Sequence, residues 1–242
     1  MRVKPEAKGQ RQAFQFYGRR KGRRLREGRR SLVDEVLPTL TVALPRAGGV
    51  LDPRSLFDPA PRAVWLEIGF GGGEHLAAQA AANPETGFIG CEVFEAGIAS
   101  ALGHIVEAEL KNVRLHPEDA RELLAVLAPE SLDRVFLLFP DPWPKRRHEQ
   151  RRFIGKANLD RLADLMRQGA ELRVASDDPT YQEWALRHVP VHPAFRWIAQ
   201  SPSDWLQRPT DAIETRYEKK ARDAGRTPMF FKFDKRAPTR SA

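Results

Sequence analysis

Cysteine is almost absent from this chain. The single Cys91 in 242 residues leaves no internal disulfide and no multi-cysteine zinc site, a usage compatible with a reducing compartment and a cytoplasmic location. Long apolar runs are missing too. None approaches the roughly 18 residues of a membrane span, and the opening MRVKPEAKGQ lacks the apolar segment of a secretory signal. His75, His104 and His148 have no metal-ligand spacing with plausible partners, so no metal is expected. There is no internal repeat.

Acids are scarce at one end only. Residues 1–30 carry twelve Lys/Arg against Glu6 and Glu27, a net of +10, and the other 212 residues carry 28 basic and 30 acidic side chains, a net of −2. The +8 of the whole chain is therefore a basic, flexible N-terminal arm on a near-neutral body spanning 31–242. Such an arm suits nucleic-acid phosphates, and equally a solvated tail. It has no serine before Ser31 and no clear amphipathic period, unlike a mitochondrial transit peptide.

Hydrophobic residues make up 41% of the chain, ample for one large core. Ser31-Leu-Val-Asp-Glu reads as a capping box before one or two helical turns, and Pro53 to Pro61 as a linker. A regular alternation follows. Strands are expected at 63–68, 88–91, 113–116, 132–139, 170–175, 195–199 and 229–233. Helices are expected at 74–82, 94–110, 121–127, 153–166 and 179–188. That spacing predicts an α/β fold with a mostly parallel sheet and helices on both faces.

The first strand runs into Glu67-Ile-Gly69-Phe-Gly71-Gly72-Gly73. Glycines at a strand-to-helix turn let a ligand approach the backbone. The Gly-Lys-Ser/Thr ending of a P-loop is absent, which disfavours a nucleoside triphosphate. Glu67 stands in an apolar strand, and a lone buried carboxylate is costly, so it is expected to point into a ligand crevice. Glu92 closes the second strand about 20 residues on, where an acid accepts ribose hydroxyls. Glu118-Asp119 follows the third. GxGGG is not the dinucleotide fingerprint, and acids after three successive strands suit a single nucleoside, S-adenosylmethionine being one that fits, with Asp119 on the adenine amino group or simply capping the next helix.

The fourth strand ends in LLFPDPWPKRRHEQRR, residues 137–152. Pro140, Pro142 and Pro144 prevent helix or strand there. They leave a stiff loop with one acid, Asp141, one flat aromatic, Trp143, and a basic run, Lys145 to Arg152. Trp143 suits stacking on an unpaired base or burial as a plug, and the run suits phosphate or a solvated helix start. Ser176-Asp177-Asp178 ends strand five at the same crevice edge. Thr215-Arg216-Tyr217-Glu218 reads, by pattern alone, as a polar helix start or loop.

These motifs resemble one family: the bacterial tRNA (guanine-N7-)-methyltransferases, the TrmB type. The likeness covers almost the whole chain through YGRRKGRRLREGR, LEIGFGGGEH, GCEVFEAGI, FPDPWPKRRHEQRR, ASDD and TRYE. It implies a Rossmann-like class I fold with a seven-stranded sheet. It implies S-adenosylmethionine as donor, leaving as S-adenosylhomocysteine, and N7 of a tRNA variable-loop guanosine, usually position 46, as acceptor. Glu67, Gly69, Gly71, Glu92, Asp119 and Asp141 would hold the donor, Asp141 being assigned to catalysis. Lys145, Asp177, Thr215, Arg216, Tyr217 and Glu218 would hold the guanosine and its surroundings. The family often has Thr-Asp where this chain has Ser176-Asp177, and the doubled acids leave the register open by one residue. A monomer or homodimer is expected, with no membrane.

Guanine N7 carries a lone pair and no proton, so the enzyme needs alignment and charge stabilisation rather than a base. Other readings stay open from the residues alone. A base-amino methyltransferase would carry Asp/Asn-Pro-Pro-aromatic where this chain has Asp-Pro-Trp-Pro. A non-catalytic RNA-binding protein would not need the glycines and acids. A small-molecule methyltransferase would leave both basic clusters unused.

Overall fold

The computed structural model describes residue 18 and residues 20–46 and 48–237. The rest of the basic arm, residues 1–17 and 19, lies outside the described residues. The chain opens with helix α1 (Glu27–Ser31), a π-helical turn (Leu32–Val36) and α2 (Leu37–Leu40) in one run. Ser31 is therefore helix interior (φ −54°, ψ −41°) and not the expected cap. The helix reaches back into the basic segment because Leu32, Val33, Val36, Leu37 and Leu40 all have apolar surface to pack against.

The alternating region follows. It comprises β1 (Ala63–Ile68), α3 (Glu74–Ala82), β2 (Thr86–Cys91), α4 (Glu95–Glu107), β3 (Val113–His116), α5 (Ala120–Leu124) and β4 (Leu132–Leu138). Then come α6 (Lys156–Leu165), β5 (Met166–Ser176), α7 (Pro179–His188), β6 (Phe195–Trp197), α8 (Ser203–Leu206), α9 (Arg216–Asp223) and β7 (Met229–Lys235). The seven strands form one sheet in the order β3-β2-β1-β4-β5-β7-β6. β1 to β5 are parallel, and β7 runs antiparallel to both its neighbours.

Side chains alternate across each strand, and two apolar layers result. Val64, Leu66 and Ile68 face a core with Leu123, Leu159, Leu162 and Tyr181, from α5, α6 and α7. Trp65 and Phe88 face the other, with Leu76, Ile98 and Leu102 from α3 and α4. Helices thus cover both faces, as expected. The last strand pair and α7 differ little from expectation, but β5 starts at Met166 rather than at Ala170. The polar Arg167-Gln168-Gly169 hides a strand that Met166 anchors in the core and in register with Leu132. Residues 153–155 lie outside α6, Gly155 being extended with φ −171°.

Strand order reverses between β1 and β4. Connections from β1 run outward through β2 and β3, and those from β4 the other way, leaving a crevice at the strands' carboxyl ends.

Candidate active site

That crevice is a cleft of about 410 Å³. Ile68, Gly69 and Gly71 line it from β1, Glu92 to Phe94 from β2, Glu118 to Arg121 from β3, and Phe139 to Asp141 with Trp143 from β4. Tyr217 closes it from α9, and Gly18 and Arg151 to Phe153 complete the wall.

The glycine turn is built for close approach. Gly69 has φ +72° and its α-carbon faces open space, while Gly71 has φ +59°. Any side chain at either would be strained. A Cβ on Gly71 would stand 2.7 Å from Tyr217 Cε2, and one on Gly97 of α4 would stand 2.3 Å from the Gly71 carbonyl oxygen. Gly97, inside GCEVFEAGI, escaped the sequence reading. Its signal was a glycine in the first turn of an otherwise good helix.

Glu92 is held before any ligand arrives. Its Oε2 accepts from Gly71 N–H at 2.9 Å, and its Oε1 from Val93 and Phe94 N–H at 2.8 and 2.9 Å. A carboxylate offers about four lone-pair sites, so one remains for a ligand hydroxyl. Burial raises the Glu92 pKa above the ordinary carboxylate range. The three amides oppose that shift, and the charge of Asp141 adds to it.

Asp119 both lines the cleft and caps α5. It accepts from Arg121 N–H at 2.9 Å and binds the Arg121 guanidinium at 3.0 and 2.6 Å. Burial pushes its pKa up, but these bonds outweigh burial and hold it below the usual range. The open choice between cap and cleft residue resolves as both.

Glu67 departs from expectation. It does not line the cleft, and its side chain is only 4% exposed. Its carboxylate meets His75 Nδ1 at 2.8 Å, so its burial is compensated on the α3 side of β1 rather than by a ligand. Two other transferred residues lie elsewhere. Thr215 N-caps α9, accepting from Glu218 N–H at 3.1 Å. Glu218, 1% exposed, takes Arg222 Nη2 at 2.9 Å and Arg208 Nη1 at 3.3 Å. Both line a separate, nearly filled gap of about 30 Å³. Lys145 is exposed and Asp177 half-buried, paired with Arg226 Nε at 2.5 Å, and neither lines the cleft. Asp178 caps α7, which favours Asp177 as the acid left to face outward. Arg216 is exposed, its guanidinium 5.3 Å from the Tyr217 ring centroid.

The Pro-Asp-Pro-Trp-Pro loop carries strain at both ends: Phe139 has φ +49° and Trp143 φ +42°. What holds it is Arg152. Its Nε donates to Pro142 O at 3.0 Å and its Nη2 to Trp143 O at 2.9 Å. The guanidinium lies 4.3 Å from the Trp184 ring centroid and the residue is 6% exposed. The last member of the expected basic run is thus a buried clamp under the loop, not a surface cation. Trp143 is neither a free stacking face nor a full plug: half-buried, it has the Arg151 guanidinium 4.8 Å from its ring centroid. Among the described residues, no group of three or more His, Cys, Asp or Glu could hold a metal ion, and no helix is long and apolar enough to cross a membrane.

A reversed strand order, a glycine turn at the cleft and a pre-oriented acid at the end of β2 define a Rossmann-like nucleoside-binding fold, and the likeness to known proteins assigns it to the class I methyltransferases that use S-adenosylmethionine. Solved structures share the fold. An antibiotic related methyltransferase aligns with TM-score 0.53 at 18% identity, covering 83% of this chain and 98% of that one. The 16S rRNA (adenine(1408)-N(1))-methyltransferase from Catenulisporales acidiphilia aligns with TM-score 0.52 at 16% identity, covering 82% and 100%. At those identities the likeness concerns fold alone. The sequence family described as "Putative methyltransferase" matches residues 61–230. Relatives named tRNA (guanine-N(7)-)-methyltransferase are 56% identical in Rhodospirillum rubrum, over 91% of this chain and 88% of that protein, and 53% in Paramagnetospirillum magneticum, over 92% and 93%. The chain belongs to the bacterial tRNA (guanine-N7-)-methyltransferase family.

Proposed function

We propose that this protein methylates N7 of a guanosine in tRNA, at variable-loop position 46, giving 7-methylguanosine. The observation that carries the reading is the cleft itself: an exposed acid, Asp141, close enough to Glu92 to perturb it, in the same cleft as Trp143 and Tyr217. The names of the relatives supply the acceptor class.

When bound, S-adenosylmethionine supplies the methyl group and leaves as S-adenosylhomocysteine. The residues present fit it. Glu92 keeps one acceptor site for a ribose hydroxyl, and Gly69, with open space where a side chain would stand, lets the ligand lie against the backbone. Asp119, lining the cleft beyond β3, would take the adenine amino group. Glu67 acts one step back, fixing the turn between β1 and α3 through His75. Guanine N7 has no proton to lose, so the protein's tasks are alignment and charge. Asp141, exposed at the cleft edge, accepts from the N1–H and N2–H₂ edge of guanine and favours the positive charge that develops on the ring. Asp177, held by Arg226, flanks the acceptor. Arg216 and Lys145 face the surrounding phosphates. Tyr217, exposed in the cleft, offers a flat face to the base. The basic residues 1–30 add tRNA affinity, and the protein acts in the cytoplasm as a monomer or homodimer.

Methyl transfer from labelled S-adenosylmethionine to unmodified tRNA, followed by nucleoside analysis, tests this. Label in 7-methylguanosine that disappears when the variable-loop guanosine is changed to adenosine is expected. Label on an exocyclic amine, or none despite donor binding, would overturn the acceptor.

A further inference from the structure

Arg173 is a charged residue in the middle of β5, 6% exposed and in register with Phe136 of β4. A guanidinium in such a place is costly unless fully paired. It is paired with one residue outside the sheet. Arg173 Nη1 and Nη2 donate to Asp211 Oδ1 and Oδ2 at 2.8 and 2.7 Å. This is the two-pronged geometry that fixes orientation as well as distance. Arg134 Nη1 of β4 reaches Asp211 Oδ2 at 3.4 Å, and Glu171 pairs with both arginines. The backbone of Asp211 is gripped from a third side, Gln79 Nε2 of α3 donating to its carbonyl at 2.5 Å. Three core elements, β4, β5 and α3, thus converge on one loop residue that neither the motifs nor the resemblance single out.

What that residue holds is the acceptor segment. Four residues on, Thr215 caps α9, and Glu218 ties its first turn to Arg208 and Arg222. The segment rests on Phe136, Phe230 and Phe231 with little free volume beneath it. Within that turn Tyr217, 42% exposed, lines the cleft and covers Gly71, whose missing side chain leaves room for its ring. Gly71 in turn donates to Glu92. A continuous path runs from the sheet face through Asp211 to Tyr217 and on to the donor turn.

We infer that Asp211, clamped by Arg173, is a positioning residue for methyl transfer: it sets the height of Tyr217 over the glycine turn and so the distance between acceptor and donor. This rests on the proposed acceptor. In-line transfer is steep in geometry, a misplacement of about 1 Å costing about a hundredfold, so a clamp of this kind governs kcat rather than tRNA affinity.

The test compares the full chain with Asp211→Ala, Asp211→Asn, Tyr217→Ala and the double variant Tyr217→Ala/Asp211→Ala. Steady-state methyl transfer to tRNA, thermal melting, and hydrogen exchange of the free proteins are measured. Asp211→Ala is expected to lower kcat about tenfold or more while KM for tRNA changes less than about threefold. It is expected to raise amide exchange in the glycine turn, residues 69–73. In the Tyr217→Ala background it should cost nothing further, because its effect passes through Tyr217. Asp211→Asn keeps the shape and guards against a folding defect; it should lose kcat in the same direction. Unchanged kcat in both Asp211 variants, unchanged exchange in the turn, or losses that multiply in the double variant would overturn the inference. A wild-type protein that forms no 7-methylguanosine overturns the proposed function instead, and the exchange result still decides the clamp.

Discussion

Replacing Arg152 separates two roles for the basic run after β4. Its guanidinium makes two charge-assisted bonds to carbonyls of the loop that carries Asp141, at 3.0 and 2.9 Å, and lies 4.3 Å from the Trp184 ring centroid. Bonds to a charged group contribute about 1.5–3 kcal/mol each and a buried cation–π contact about 1–2 kcal/mol. Such terms are not additive, so Arg152→Ala should cost about 3–5 kcal/mol. Arg152→Lys keeps the charge but not the fork and should cost about 1–2 kcal/mol. The loop has somewhere to go, since Phe139 and Trp143 are held at φ +49° and +42°, positions that store about 1–3 kcal/mol each. Released, it relaxes and Asp141 moves. The assay is denaturant unfolding together with methyl transfer to tRNA at several salt concentrations. Loss of kcat by about tenfold or more in Arg152→Lys, with the salt dependence of KM unchanged, is expected. A phosphate contact would behave oppositely: kcat intact, KM raised, and the salt slope reduced by about one. That result would refute the clamp.

Three further outcomes are expected. Gly71→Ala puts a Cβ within 2.7 Å of the Tyr217 ring at φ +59°, so calorimetry should find S-adenosylmethionine binding weakened about tenfold or more, with a strain cost of about 1–2 kcal/mol in melting. Burial raises the Glu92 pKa, and its three amides only partly offset this. Donor affinity should therefore fall, as pH is lowered, at a higher pH than an ordinary glutamate titrates. Because the folded pKa is the raised one, protonating Glu92 favours the folded state, so affinity should be lost while melting shows the chain still folded. Deleting residues 2–17 should raise KM for tRNA and flatten its salt dependence without lowering kcat; an unchanged KM would make the segment a passive tail.

The sheet was legible because its signals are local. Short apolar runs of four to eight residues mark β1, β2 and β4, and each was expected within a few residues of where it lies. The helical turns after Ser31 were expected, but their extension back to Glu27 and the start of β5 were not, because polar neighbours mask segments whose burial depends on distant partners. The glycine turn and the acids Glu92, Asp119 and Asp141 could be singled out, since chemistry at strand ends reads along the chain. Glu67 could not be placed, because whether a strand carboxylate faces a ligand or a helix histidine depends on what packs against that face.

Residue order by itself therefore determined the alternation, the crevice end of the sheet, the family resemblance and the acid that faces the cleft, all properties of contiguous residues. Tertiary structure alone decided which charges serve the site from behind. Arg152 and Arg173 look like any other arginine in sequence. Burial turns each into a clamp, because a guanidinium removed from water must be compensated by whatever the fold packs around it: for Arg152 the Pro142 and Trp143 carbonyls and the Trp184 ring face, for Arg173 the carboxylate of Asp211, 38 residues on.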